Sequence, residues 1–187
     1  MAHMTINMAL EGTVVAVASN LKHEFSKSIK DTIKLVEEHG VEGDAHAGRF
    51  VQHRYLAKKM PALPNSRQVH LIASELFMEL ASRGFNVAPG DLGENVTTAG
   101  LDLTNLPLGT RLQIGNSAIV ELTGLRTPCA LIDRFQKGLK RAVIAKHQEP
   151  RFRCGVLGVV TATGHIAPGD AVIVELPSFG RRALPEL

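Results

Sequence analysis

Tryptophan is missing from this sequence of 187 residues, tyrosine occurs once and cysteine twice. With only phenylalanine left in any number, the chain is poorly stocked for a base-stacking platform of the single-strand-binding kind. Cys129 and Cys154 are too few for a disulfide scaffold, and no Cys-x-x-Cys or His-Glu-x-x-His spacing marks a redox pair or a zinc site. No apolar run approaches the roughly 20 residues that cross a bilayer, and the N-terminus lacks the hydrophobic centre of a secretory signal. The expectation is a cytoplasmic chain with two free thiols and no membrane contact. Met1-Ala2-His3-Met4 reads as a cloning remnant ahead of a native start.

Charge of either sign is modest. The 21 basic and 18 acidic residues leave a net +3, spread along the chain rather than gathered in a block, so nucleic-acid binding has little support and a small anionic ligand fits as well. Apolar residues make up 44% and charged residues 21%, the balance of a packed globular fold, and the length suits one domain.

The elements follow from patterning. Gly12 to Ser19 is β-branched and apolar, a buried strand. Asn20 to Gly40 is ambiguous between strand and helix, with Thr32 to Val36 read as a strand. Two glycines and an Asp make Gly43 to Gly48 a loop, and basic Phe50 to Ser66, with Pro61 and Pro64, a mobile surface connection. Gln68 to Ile72 is a strand, followed by an amphipathic helix over Ala73 to Arg83 that buries Leu76, Phe77 and Leu80 and stops at Gly84. From Pro89 onward come short strands at 94–97, 111–114, 118–123, 155–163 and 171–176, with Pro-Gly-Asp turns at 89–91 and 168–170. Such spacing predicts a mainly β fold, barrel or sandwich, with few helices.

Chemistry concentrates at Leu125-Arg126-Thr127-Pro128-Cys129. Thr127 is a good N-cap, Pro128 suits the first helical position, and the helix runs from Cys129 to about Lys137. A cysteine in a first helical turn, near Arg126, should be a stabilised thiolate, which is both a nucleophile and a soft metal ligand. The alternative is a small buried hydrophobe. Cys154 opens an apolar stretch and reads as packed.

Asp44 and His46 could be metal ligands or an acid–base pair, but with no third ligand at metal-site spacing, a loop-closing Asp44 and a pocket-facing His46 fit better. Glu94 and Asn95, beside Gly93, either recognise a heterocycle edge or bond to backbone. Arg67 either binds an anion or faces water. His70 reads as structural, and His23, His39 and His53 as surface positions.

In order, VEGDAHAG at 41–48, RQVHLI at 67–72, PGDLGENVTT at 89–98, LRTPC at 125–129 and GVLGVVTATG at 155–164 resemble the MOSC family, named for the C-terminal domain of molybdenum-cofactor sulfurases. The likeness places the domain at residues 12–176 and is to the short stand-alone bacterial type. It implies a closed β-barrel, like the small domain of pyruvate kinase, with a few peripheral α-helices. It also implies that Cys129 ligates the molybdenum of a molybdopterin cofactor or carries sulfur. Matched position by position, Asp44, His46, Arg67, Glu94, Asn95 and Arg126 would bind that cofactor. No pyridoxal-phosphate-using domain accompanies the barrel, so a persulfide would need a donor and redox catalysis is the simpler expectation. The reading is an oxidoreductase that reduces N-hydroxylated small molecules, such as hydroxylamines and N-hydroxylated bases. Electrons would come from an external donor protein, since no flavin, haem or iron–sulfur motif is visible. The alternative is a non-catalytic carrier of the cofactor or of sulfur.

Overall fold

A computed structural model describes residues 10–52, 54–145 and 148–187, without the side chains of 54–56; Met1-Ala2-His3-Met4 and His53 lie outside the described residues. The strands are β1 (Glu11–Ser19), β2 (Ser28–Lys30), β3 (Ile33–Val36), β4 (Gly40–Val41), β5 (Val69–Ala73), β6 (Val96–Ala99), β7 (Arg111–Ile114), β8 (Ala118–Leu125), β9 (Val156–Ala162), β10 (Gly164–Ile166) and β11 (Ala171–Glu175). The helices are α1 (Arg54–Lys59), α2 (Glu75–Ser82), α3 (Ala130–Phe135) and α4 (Leu139–Ala142).

Seven strands close into a barrel in the order β1, β11, β7, β8, β9, β5, β6 and back to β1, while β2 pairs with the C-terminal end of β1, beyond the stretch that pairs with β11. Closure leaves those seven without a free edge. All neighbours are antiparallel except β5 and β6, a parallel pair whose crossover carries α2. A smaller sheet of β10, β3 and β4 packs its Ile33, Leu35, Val41 and Ile166 into the main apolar cluster.

Alternation builds the interior. Along β8, alternate residues Ala118, Val120, Leu122 and Gly124 are buried, and Val14, Leu71, Leu112, Val160 and Val172 join three of them in the main apolar cluster. Each such Leu or Val contributes roughly 1.5–3 kcal/mol by leaving water. The continuous burial of Val69 to Ile72 in β5 has a separate cause. Leu71 faces the barrel, whereas Ile72 belongs to a second cluster with Leu76, Leu80, Ile132, Leu139 and Cys154, where α2, α3 and α4 pack on the outside. The expected buried face of α2 is the observed one.

The two Pro-Gly-Asp turns are built alike. Asp91 and Asp170 donate their N–H groups to the carbonyls of Ala88 and Ala167 at 3.1 and 3.2 Å, and each carboxylate accepts that alanine's N–H at 2.8 Å. Gly90 and Gly169 have φ of +86° and +94°, the left-handed value that a type II turn needs at its third residue.

Several boundaries differ from the sequence reading. β6 begins at Val96 rather than Glu94, because Asn95 spends its backbone joining β1 to β5: its N–H goes to His70 and its carbonyl accepts from Ala18, both at 2.8 Å. Ala73 belongs to β5, so α2 starts after Ser74. The 50–66 connection carries α1 and a Phe50–Pro64 bridge. Helix α3 ends at Phe135, since Gln136 is extended and Gly138 is left-handed. No helix among the described residues is long and apolar enough to cross a membrane.

Candidate functional site

One end of the barrel collects the chemistry. There β1 and β8 run out and β5, β6 and β9 begin, so Asn20, Arg126, His70, Asn95 and Leu157 converge from five strands distant in sequence. The cavity between this end and α3 measures about 260 Å³, and its walls include Lys27, His46, Arg67, Arg126 and Cys129.

Cys129 sits two positions earlier in its helix than a Thr127 cap would place it. It is the N-cap of α3, with extended backbone, rather than a first-turn residue capped by Thr127. The Thr127 N–H donates to the Leu187 carbonyl at 2.9 Å, and the chain turns helical only after Cys129. The thiol is half-buried, packed at the edge of the outer cluster and open to the cavity. Cys154 is fully buried and pushed up by burial, and its Sγ donates to the Arg126 carbonyl at 3.0 Å.

Beneath the cavity floor lies Asp44. Its Oδ2 is 2.9 Å from Lys27 Nζ and accepts from the Asn20 N–H at 3.1 Å and Asn95 Nδ2 at 3.2 Å. Its Oδ1 accepts the His46 N–H at 2.9 Å and lies 3.3 Å from His46 Nδ1. Burial alone would raise this carboxyl, but the bonds from His46 and Lys27 outweigh it and hold it far below the usual range. Burial pulls Lys27 down against the opposing pull of Asp44. The pair stays ionised at neutral pH, because neutralising it would mean protonating an unusually strong acid.

Arg126 and Arg67 supply the remaining cations. Burial and mutual repulsion lower Arg67, although a guanidinium remains charged. Arg126 anchors its N–H on the Gly155 carbonyl at 3.0 Å and lays its guanidinium over Phe25, 6.0 Å from the ring centroid. Its Nη1 is buried without a hydrogen-bond partner among the described residues. Such an orphan costs about 1–3 kcal/mol or more when charged, so it marks a place where an acceptor belongs.

His46, Arg67, Asn95, Arg126 and Cys129 thus line one cavity, while Asp44 and Glu94 do not. Asn95 has its amide fully used: Oδ1 accepts the His70 N–H at 3.2 Å, and Nδ2 donates to Asp44 and to the Ala18 carbonyl. Glu94 is wholly buried and raised by burial; its Oε1 accepts from the Gly90 N–H and Thr97, while Oε2 has no partner among the described residues. His70 also lines the wall. Burial holds it well below the usual histidine range and therefore neutral, with Nε2–H donating to the Cys154 carbonyl at 2.9 Å.

Sequence reasoning passed over Lys27, Phe25 and Asn65. Nothing in the pattern around Lys27 sets it apart. Its N–H donates to the carbonyl of Gly90, so the first Pro-Gly-Asp turn is what places it. Asn65 adjoins the Arg67 segment that drew attention; its Nδ2 donates to the carbonyls of His46 and Gly48, and its Oδ1 accepts from the Arg67 N–H.

The sequence matches the MOSC domain over residues 42–173. Solved structures of similar fold include the YUAD protein from Bacillus subtilis, 23% identical with a TM-score of 0.73, covering 90% of this chain and 97% of that one. YiiM from Escherichia coli is 19% identical with a TM-score of 0.64, covering 92% and 73%. YiiM from Geobacillus stearothermophilus is 17% identical with a TM-score of 0.61, covering 94% and 78%. At these identities the likeness is one of fold. No curated protein matches the chain.

Proposed function

The chain belongs to the MOSC domain family, which links it to the molybdenum cofactor in general, and on that premise we propose that it is a cofactor-binding oxidoreductase reducing N-hydroxylated compounds, with Cys129 as metal ligand. The observation that carries the reading is the buried, unpartnered Arg126 Nη1 at the wall of a cavity that also presents Arg67, Lys27 and a thiol.

The residues fit the group. A thiolate is a soft ligand suited to molybdenum, and the guanidiniums of Arg67 and Arg126 suit a phosphate. Among the described residues no cluster of three or more His, Cys, Asp or Glu is poised to hold a metal, so Cys129 would be the protein's ligand to a metal carried by the cofactor. The cavity, at about 260 Å³, lies just under the roughly 300–1,000 Å³ of typical ligand pockets.

When bound, the cofactor would supply oxygen-atom transfer and electron storage. The chain's own contribution is positional. Cys129 would hold the metal at the start of α3, Arg126 and Arg67 would neutralise the anionic end, and Phe25 and Leu131 would screen the site from water. Asp44 acts one layer back, fixing Lys27 and His46, and is itself held by Asn95 at the cavity wall. Glu94, packed under the Gly90 turn, supports the same wall. Electrons would come from an external carrier protein.

The test is metal and pterin analysis of protein made in a cofactor-synthesising host, followed by turnover of hydroxylamine with an artificial electron donor. Wild type should carry molybdenum and pterin and turn over, and Cys129→Ala should lose the metal. Equal molybdenum in wild type and Cys129→Ala would sink the ligand assignment. Bound cofactor without turnover would leave the carrier reading standing in its place.

A further inference from the structure

We infer that His46 is the proton donor to the leaving oxygen in the reaction at this cavity, its imidazole fixed in one tautomer by Asp44; the inference rests on the reductase reading above. Asp44 is ionised and can only accept, so the hydrogen between it and His46 belongs to Nδ1. That leaves Nε2 as the working nitrogen, with no hydrogen-bond partner among the described residues.

The carboxylate cannot swing away, because Lys27, Asn20 and Asn95 grip its other oxygen. His46 is itself pinned through its N–H on Asp44 and its carbonyl on Asn65. Loop closure does not need the imidazole, since the Ala45 N–H already donates to Asn20 and that of Ala47 to the Asp44 carbonyl. The ring nonetheless lines the same cavity as Cys129, with 38% of the side chain open for reprotonation by solvent.

The other histidines of the cavity are placed differently. His70 is buried and neutral, with Nε2 committed to the Cys154 carbonyl. His23 lies against His46, ring centroids 5.1 Å apart, with its Nε2 3.2 Å from the Gln52 carbonyl.

The step balances as an N-hydroxylated amine plus two electrons and two protons giving the parent amine and water. The N–O bond breaks, and the electrons come from a one-electron carrier protein of the flavin or iron–sulfur class. His46, first protonated at Nε2 by solvent, delivers that proton to the departing oxygen and returns to its Nδ1–H form, and solvent supplies the proton that nitrogen gains. Positioned proton donors of this kind contribute about 10²- to 10⁴-fold.

Two measurements test it. Long-range ¹⁵N–¹H spectra of the whole chain should show His46 as the Nδ1–H tautomer; a dominant Nε2–H form would overturn the inference. In cofactor-loaded protein assayed on hydroxylamine with a reduced viologen, His46→Gln should keep its molybdenum and pterin and its KM while kcat falls about 100-fold or more. His46→Ala should recover part of the loss with added imidazole. Loss of cofactor from His46→Gln would make His46 a cofactor ligand instead, and an unchanged kcat would remove the donor role. A loaded wild type that reduces nothing overturns the reductase reading and this role together, whereas an active wild type with an equally active His46→Gln overturns this role alone.

Discussion

Lys27 Nζ and Asp44 Oδ2 meet at 2.9 Å with side chains 3% and 0% exposed, a buried ion pair directly under the cavity. Its partners extend from the end of β1 through the glycine loop to the start of β6, so the pair ties the glycine loop to the adjoining ends of two paired strands. Breaking it from either side should therefore have different consequences.

Asp44→Ala strands the buried ammonium and removes the acceptor of Asn20, His46 and Asn95, and should cost about 3–5 kcal/mol. Lys27→Met leaves a carboxylate still holding four donor groups from Asn20, His46 and Asn95 and should cost less. Urea unfolding midpoints of the two variants check the order; the reverse order would mean that the ammonium, not the carboxylate, is the hub.

Stability should rise with pH through two groups. Asp44 has its folded value depressed, so its contribution is complete above the unfolded value near 3.8 and is lost as pH falls below it. His70 is also depressed: below about pH 6.5 the unfolded chain takes up a proton that the folded ring refuses. Wild type should lose up to about 1.4 kcal/mol per pH unit more than His70→Gln as pH falls from there. Parallel curves for the two proteins from pH 7 to 5 would show that His70 titrates alike in both states.

Thiol labelling should separate the cysteines. Iodoacetamide should modify half-buried Cys129 in the native protein and leave Cys154, at 0% exposure, untouched until urea unfolds the barrel. Peptide mass mapping gives the answer, and equal labelling of both would contradict the packing of the outer cluster.

The C-terminal segment should matter to Cys129 although the family match ends at residue 173. Leu125 donates to Pro185 at 2.7 Å, Leu187 donates back to Leu125 at 2.9 Å, and Leu184 is buried in the main cluster. Deleting residues 183–187 should cost about 3–5 kcal/mol, from one buried leucine and three hydrogen bonds. It should also speed Cys129 alkylation, because Thr127 loses its partner. A truncated chain with the wild-type unfolding midpoint would show that the segment merely rests on β8.

Much of the barrel was legible because each strand carries its own signal. Val120 and Leu122 alternate with half-exposed neighbours whatever lies around them, and Ala-Pro-Gly-Asp specifies a type II turn within four residues. Cys129 stood out for the same local reason, its place after Thr127-Pro128. Errors arose where a distant segment decided. The start of β6 shifted because Asn95 bonds to both β1 and β5, and the cap of α3 moved to Cys129 because Thr127 pairs with Leu187.

By itself, then, the sequence determined a mainly β fold, its turns, the face buried by α2, and a reactive-looking cysteine at a helix start, since those depend on periodicity and nearest neighbours. Only the tertiary structure decided which polar residues meet. Lys27 and Asp44 are separated by 17 positions and Asp44 and Asn95 by 51, and their contact depends on barrel closure and strand register, which no local pattern encodes. The cysteine singled out by its neighbours in sequence acquires its surroundings, three cations and a locked histidine, only when seven strands close.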